Sequence, residues 1–211
     1  MNLKKEKMLN DDFWDYFEKN NFSLSVVKSY LRESKEVVDY ERMKIKDGRY
    51  WQISKDEVRS IYTIIRARRP DIVIETGMGP GVSTTAILWA MKRKGRLISI
   101  DPGIPYGRGD REIGFIIPSD LKSNLDYVKG VSSIKLEGVL NSMQRLDVFF
   151  HDSDHSYENV KFELNSVWPK IRNNPLILVD NYDWSEATKD FAKERNLKLR
   201  NLADDLALLS R

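Results

Sequence analysis

Acidic, amide and histidine side chains follow two apolar runs in the second half of the chain. Asp152 and His155 come directly after the run 146–151, and Asp180 and Asn181 come directly after the run 176–179. Because the carboxyl ends of parallel strands meet at one edge of a sheet, we expect these groups to lie a few ångströms apart. Carboxylate and amide oxygens suit a hard divalent cation such as Mg²⁺. The pattern predicts metal ligation by Asp152, Asp180 and Asn181, with His155 as a candidate catalytic proton acceptor.

Each of these residues also has a purely structural interpretation. Asp152 could contact only a cofactor, and the Asp180-Asn181 pair could simply stabilise a turn through side-chain bonds to the backbone. His155 fits a capping or supporting role as well as it fits the role of a base. Asp154 is best explained as a helix cap.

A glycine-rich loop, residues 75–81, lies between a strand pattern and a helix pattern. Glycine lets the backbone turn and approach a ligand closely, and the N–H groups at the start of the following helix suit a carboxylate or phosphate. Asp101 ends the next strand, where an acid often binds a ribose diol. A glycine turn without a ligand and a nicotinamide-dependent dehydrogenase are the alternatives, although no Tyr-x-x-x-Lys pattern is found. The residues predicted to contact the ligand are Glu75, Gly77, Met78, Gly79, Gly81, Ser83, Thr84 and Asp101. We also expect Ser83 and Thr84 to cap the helix.

These residues resemble the first motif of class I S-adenosylmethionine-dependent methyltransferases, an acid followed by G-x-G-x-G. The resemblance implies that the loop wraps the methionine part of the cofactor and that Asp101 binds the ribose hydroxyls. It also implies cofactor contacts at Asp152 and, after a third strand expected at 134–136, at Gly138 and Val139 near the adenine.

The later motifs resemble those of the catechol and caffeoyl-coenzyme A O-methyltransferases. D-x-x-K is matched by Asp152 with His155 in place of the lysine, and D-N-x-x-W is matched by Asp180, Asn181 and Trp184. The run 152–157 is also similar to the D-G-D-H-S-Y segment of a broad bacterial and archaeal methyltransferase group. The resemblance implies metal-assisted O-methylation, while the missing lysine and the valine at position 139 argue against catechol itself as the substrate.

The remaining patterns predict an α/β fold: a Rossmann-like, doubly wound sheet, mostly parallel, with an antiparallel edge strand. A capping box at Ser54 and Glu57 opens a helix to about Arg68. We expect an N-terminal helical extension or cap over residues 1–52 and an S-adenosylmethionine-binding methyltransferase domain over 53–211. The loop 102–118, with Arg108, Asp110 and Arg111, is interpreted as a solvated connection.

Composition narrows the classes of function. The chain has 211 residues, no cysteine and a net charge of +3, which excludes thiolate chemistry and gives no strong basic excess for nucleic acid. It has no apolar run of about 20 residues and no signal-peptide pattern, so we expect a cytoplasmic protein without membrane contact.

We therefore predict an S-adenosylmethionine-dependent methyltransferase that acts on a small-molecule hydroxyl with Mg²⁺ or another divalent cation. A homodimer would be an ordinary assembly for it. The alternatives are a metal-independent methyltransferase for RNA or protein, and a non-catalytic nucleoside-binding module.

Overall fold

A computed structural model describes residues 9–45, 50, 52–104, 111–171 and 173–211. Arg108 and Asp110, considered above, lie outside the described residues. The helices are α1 (Asp11–Lys19), α2 (Leu24–Lys44), α3 (Lys55–Arg68), α4 (Val82–Met91), α5 (Ser132–Asn141), α6 (Tyr157–Ile171) and α7 (Ala187–Arg195). The strands are β1 (Ile72–Thr76), β2 (Arg96–Asp101), β3 (Leu125–Lys129), β4 (Val148–His151), β5 (Ile177–Val179), β6 (Lys198–Ala203) and β7 (Leu206–Ser210).

The strands form one seven-stranded sheet in the order β3-β2-β1-β4-β5-β7-β6. Strands β1 to β5 run parallel, and β7 pairs antiparallel with both β5 and β6. The predicted doubly wound, mostly parallel sheet with an antiparallel edge is confirmed. The order reverses between β1 and β4, so their carboxyl ends form the crevice where this fold binds ligands.

Two apolar clusters cover the two faces of the sheet. One packs α1 to α4 against side chains such as Val73, Val148 and Leu208. The other packs α5 to α7 against the alternate side chains, such as Ile74, Phe149 and Leu209. Because successive strand residues point to opposite faces, short runs such as Ile72–Thr76 supply both clusters.

The N-terminal helices are part of the first cluster. Phe13 and Phe17 of α1 are fully buried, and Asp15 of α1 accepts bonds from Lys198 (2.7 Å) and Arg200 (3.2 Å) of β6. Helix α2 packs along α3, which begins at the predicted capping box: Glu57 N donates to Ser54 Oγ and Ser54 N donates to Glu57 Oε2. The domain boundary near residue 52 stays a prediction.

The predicted third strand at 134–136 is wrong. Those residues lie in α5, where Leu136 is buried and Ile134 is 73% exposed, and the third strand is β3. Gly138 and Val139 are consequently helix residues, and the glycine that follows the third strand is Gly130. The reason for expecting adenine contacts at Gly138 and Val139 therefore fails.

The interpretation of 102–118 as a solvated connection is also wrong for its last part. Gly114, Ile116 and Ile117 are buried, and this stretch bonds back to the glycine-rich loop. Throughout the described residues, the helices lack the combination of length and hydropathy that crossing a membrane would require.

Candidate active site

The glycine-rich loop is tied closely to the end of β4. Gly77, Gly79 and Gly81 have φ values of +86°, +52° and +97°, which only glycine adopts readily. A Cβ atom on Gly77 would lie 1.7 Å from the carbonyl oxygen of Asp152. The absence of a side chain at Gly77 thus lets the two strand ends approach each other at the switch point of the sheet.

Glu75 anchors this loop from beneath. Its fully buried carboxylate accepts hydrogen bonds from Ser83 (2.6 Å), Thr84 (2.7 Å) and Ser99 (2.6 Å). Burial raises the pKa of Glu75 to about 7, while the three hydroxyl donors act in the opposite direction. The side chains of Glu75, Ser83 and Thr84 therefore position the loop from inside the protein.

The expectation that Ser83 and Thr84 cap the helix is wrong. The N-cap of α4 is Gly81, and neither hydroxyl bonds the helix N-terminus because both donate to Glu75. The first turn of α4 still brings the positive end of the helix dipole to the carboxyl edge of the sheet.

Asp101 fixes the outer part of the same loop. Its Oδ2 accepts from the N–H groups of Met78 (2.9 Å) and Gly79 (3.2 Å), and its Oδ1 accepts from Gly103 N (2.7 Å). Three of the expected cofactor positions, Met78, Gly79 and Asp101, thus form one bonded unit, and Glu75 is held separately by its three hydroxyl donors. Asp101 retains lone-pair capacity for a further donor, because a carboxylate accepts about four bonds.

Residues 111–118 form a segment that lies over this unit, and we call it the covering segment. Gly114 N donates to Gly79 O (2.9 Å), Ile116 N donates to Pro80 O (3.2 Å), and the Tyr40 hydroxyl of α2 donates to Ile116 O (2.7 Å). The covering segment and α2 together enclose the glycine-rich loop, so access to the loop depends on this part of the chain.

The ends of β4 and β5 bring Asp152, His155 and Asp180 together, as the sequence predicted for the two aspartates. Ligand atoms from these three side chains all lie within 4.8 Å of one another. Burial and the neighbouring Asp180 raise the pKa of Asp152 well above its ordinary value, and burial raises that of Asp180 to about 6. Asp180 Oδ1 is buried and has no hydrogen-bond partner in the described structure. Such an orphaned acceptor beside a second carboxylate fits a cation ligand.

Asn181 stands beside Asp180 in the left-handed conformation, with φ of +50°, which asparagine tolerates well. Its Nδ2 donates to Asp180 Oδ2 (2.6 Å). A half-turn of the amide would bring Oδ1 to Asp180 Oδ2, and two acceptor oxygens tolerate each other there only with a cation or a proton between them. Asn181 is therefore near the predicted metal position, and in this conformation it presents its amide nitrogen to Asp180.

His155 is packed between two rings. Its ring centroid lies 5.2 Å from that of His151 and 5.2 Å from that of Trp184, edge to face in both cases. Burial, together with the smaller effect of the nearby His151, lowers the pKa of His155 to about 4. His155 is thus neutral at pH 7, and its buried Nδ1 has no hydrogen-bond partner among the described groups. Trp184 is 69% exposed and forms an apolar wall beside the histidine.

A buried network behind the site holds His151. Glu163 of α6 bonds His151 Nδ1 (2.7 Å) and accepts from Thr76 Oγ1 (2.7 Å) and Ser153 Oγ (2.7 Å). Burial acts to raise the pKa of the Glu163 carboxylate, but the interactions with His151 lower it overall. The network ties the ends of β1 and β4 to α6 and fixes the backbone that carries Asp152. Asp154 accepts from Ser156 N (3.0 Å) in the turn before α6, and the hydroxyl of Ser156 accepts from Asn159 N (3.4 Å), so Ser156 and not Asp154 caps the helix.

The sequence analysis missed two acids next to this site. Glu57 and Asp205 form a second close group with Asp180. The sequence analysis assigns Glu57 only to the capping box and does not single out Asp205. The pairing of β7 with β5 was the signal that could have placed Asp205 here.

Comparison with known families gives a match over residues 74–182 to a family described as a methyltransferase domain. The chain belongs to this methyltransferase family. The match begins in β1 and ends just after Asn181, so it contains the glycine-rich loop, Asp101, Asp152, His155 and Asp180. The protein is accordingly a class I S-adenosylmethionine-dependent methyltransferase.

Solved structures support the same fold. A methyltransferase from Geobacter sulfurreducens is 18% identical, with a TM-score of 0.58 over 96% of this chain and 98% of that one. An O-methyltransferase from Bacillus cereus, solved in complex with SAH, is 12% identical, with a TM-score of 0.55 over 87% and 91%. An O-methyltransferase from Streptomyces achromogenes involved in tomaymycin synthesis, solved with SAM, is 14% identical, with a TM-score of 0.54 over 86% and 90%. Comparison with curated protein sequences gave no match.

Proposed function

We propose that this methyltransferase transfers the methyl group of S-adenosylmethionine to a hydroxyl group of a small molecule, assisted by a divalent cation at Asp152, Asp180 and Asn181. The observation that carries the proposal is the convergence of Asp152, His155 and Asp180 within 4.8 Å at the carboxyl edge of the sheet. The donor set fits the cation, since the carboxylates of Asp152 and Asp180 lie within 4.8 Å of each other and Asn181 stands beside Asp180.

The glycine-rich loop supports the cofactor assignment. Gly77, Gly79 and Gly81 carry no side chains into the crevice, and Asp101 is held where a ribose diol would donate to its remaining lone pairs. We propose that Gly77, Met78, Gly79, Gly81, Asp101 and Asp152 contact the cofactor, while Glu75, Ser83 and Thr84 shape the loop.

A divalent cation bound here would lower the pKa of an acceptor hydroxyl and help to orient it. His155 then takes the hydroxyl proton on its neutral ring, because its low pKa leaves the ring unprotonated above about pH 4. The oxygen forms its bond to the methyl carbon as the carbon–sulfur bond breaks, and S-adenosylhomocysteine leaves. Trp184 offers a flat apolar surface next to His155, which suits an aromatic or sugar acceptor.

The first test is calorimetric titration of S-adenosylmethionine into wild type and Asp101→Ala. Loss of the Asp101 carboxylate frees the N–H groups of Met78 and Gly79, so we expect binding to weaken by about tenfold or more. Asp120→Ala, which removes an exposed acid paired with Arg93, serves as the control and should bind as wild type. Equal affinity in all three proteins would contradict the assigned cofactor site.

Methyl transfer from labelled S-adenosylmethionine to a panel of phenols and sugars tests the second half of the proposal. We expect activity with Mg²⁺ that is lost in excess chelator and in Asp152→Asn. Undiminished transfer in chelator would remove the cation from the mechanism while leaving the methyltransferase assignment intact.

A further inference from the structure

A second group of acids lies on the far side of Asp180. Carboxylate oxygens of Glu57, Asp180 and Asp205 all lie within 4.8 Å of one another. The three residues come from the first turn of α3, the end of β5 and the turn between β6 and β7. Residues so far apart in sequence meet here only because the sheet topology brings them together.

The register of the sheet explains the position of Asp205. Val179 of β5 pairs with Ala207 of β7, and the two strands run antiparallel. The turn that precedes β7 therefore lies at the same edge as the end of β5, next to Asp180. Asp205 N donates to Glu57 Oε1 (3.3 Å), which joins the turn to the start of α3.

The charges in this corner are poorly balanced. Glu57 is 2% exposed and Asp180 is 5% exposed, so water screens their repulsion weakly. The groups that meet the Glu57 carboxylate in this corner, Asp180 and Asp205, are themselves acidic. Buried carboxylates that crowd together require protons or a cation to become neutral.

A separate observation points to a ligand. Asp180 Oδ1 is buried without a hydrogen-bond partner among the described residues, although Oδ2 accepts from Asn181. Asp180 also belongs to both acidic groups. A carboxylate has one oxygen for each of two ions, and carboxylates commonly bridge paired metal ions.

We propose that Glu57, Asp180 and Asp205 form a second divalent-cation site that shares Asp180 with the site at Asp152. The proposal rests on the proposed function for the identity of the first site only. The second site offers oxygen ligands alone, which favours Mg²⁺, Mn²⁺ or Ca²⁺ over Zn²⁺. It would fix α3 and the β6–β7 turn to the end of β5, beside the acceptor position.

The test measures Mn²⁺ binding to the full chain by electron paramagnetic resonance of free Mn²⁺ and by calorimetry. We expect two equivalents for wild type, one for Glu57→Gln, one for Asp205→Asn, and one for Asp152→Asn. Asp180→Asn should lose both. The control is Asp204→Asn, which alters the neighbouring acid of the same turn, an acceptor for Ser54 that is outside the group, and should retain two.

Two variants on different elements protect against a folding artefact. Glutamine at position 57 preserves a capping box, and asparagine at 205 preserves the backbone bond to Glu57. If both variants bound two equivalents of Mn²⁺, the second site would be overturned and the first would stand. The same conclusion would follow if wild type bound a single equivalent of Mn²⁺ and Asp152→Asn bound none. If wild type bound no Mn²⁺, both cation sites would be overturned. The methyltransferase assignment would not be affected, because methyl transfer is measured in a separate assay.

Discussion

His155 is held by packing rather than by hydrogen bonds at Nδ1, with His151 on one side and Trp184 on the other. This arrangement keeps the ring neutral and directed toward Asp152 and Asp180. The sequence could predict the two aspartates, because each follows a strongly apolar strand. It could not decide between a base and a cap for His155, since that depends on the rings around it.

At position 155, replacement by glutamine should lower kcat by about a hundredfold or more, because general-base catalysis commonly contributes that much. The affinity for S-adenosylmethionine should not change, since His155 is not among the proposed cofactor contacts. Steady-state kinetics and calorimetry measure the two quantities. Asp154→Asn is the matched control, and a His155→Gln enzyme with wild-type kcat would leave His155 only a supporting role.

At the level of elements, the predicted helices and strands are largely correct, and β3 shows where the pattern fails. Its burial alternates only weakly, because it is the edge strand and carries Asp126 and Lys129. The following helix α5 contains Ile134 and Leu136 two residues apart, which imitates the period of a strand. Acids on separate elements, such as Glu57 and Asp205, could be joined only once the strand order was known.

Two glycines provide a contrasting pair of substitutions. Gly77→Ala should destabilise the protein strongly and weaken cofactor binding, because its Cβ would overlap the Asp152 carbonyl and its φ is positive. Gly138→Ala should raise the free energy of unfolding by about 0.5–1 kcal/mol, since it lies within α5 with nothing inside 4 Å of a new Cβ. Urea unfolding and calorimetry measure both. If Gly138→Ala bound the cofactor more weakly than wild type, Gly138 would again be assigned as a cofactor contact.

For the whole molecule, the buried acids make stability depend on pH and on cations. The folded-state pKa values of Asp180 (about 6) and Glu57 (about 8) are raised above their ordinary values of 3.8 and 4.5. Groups whose pKa is raised by folding contribute stability at low pH that is lost as pH rises through the folded pKa. The acids therefore oppose folding most at alkaline pH.

We expect Tm in chelator to fall as pH rises from about 4 to about 8, the window between the ordinary and the folded-state pKa values of these two groups. We also expect Mg²⁺ to raise Tm more at pH 8 than at pH 5. Differential scanning calorimetry across pH, with and without Mg²⁺, measures both trends. Asp180→Asn should flatten the pH dependence and remove the Mg²⁺ effect. A Mg²⁺ effect of equal size at both pH values would contradict the link between cation and buried carboxylates.

The contact between α1 and β6 has a consequence for synthesis of the protein. Asp12 of α1 accepts from Asn201 N of β6 (3.0 Å) across a separation of 189 residues. Since the ribosome makes α1 before β6, α1 waits while the residues between them are made before its partner emerges. During that time the aromatic face of Phe13, Tyr16 and Phe17, buried in the finished protein, has no β6 strand to cover it. The nascent chain is therefore expected to expose this apolar face until β6 has been made.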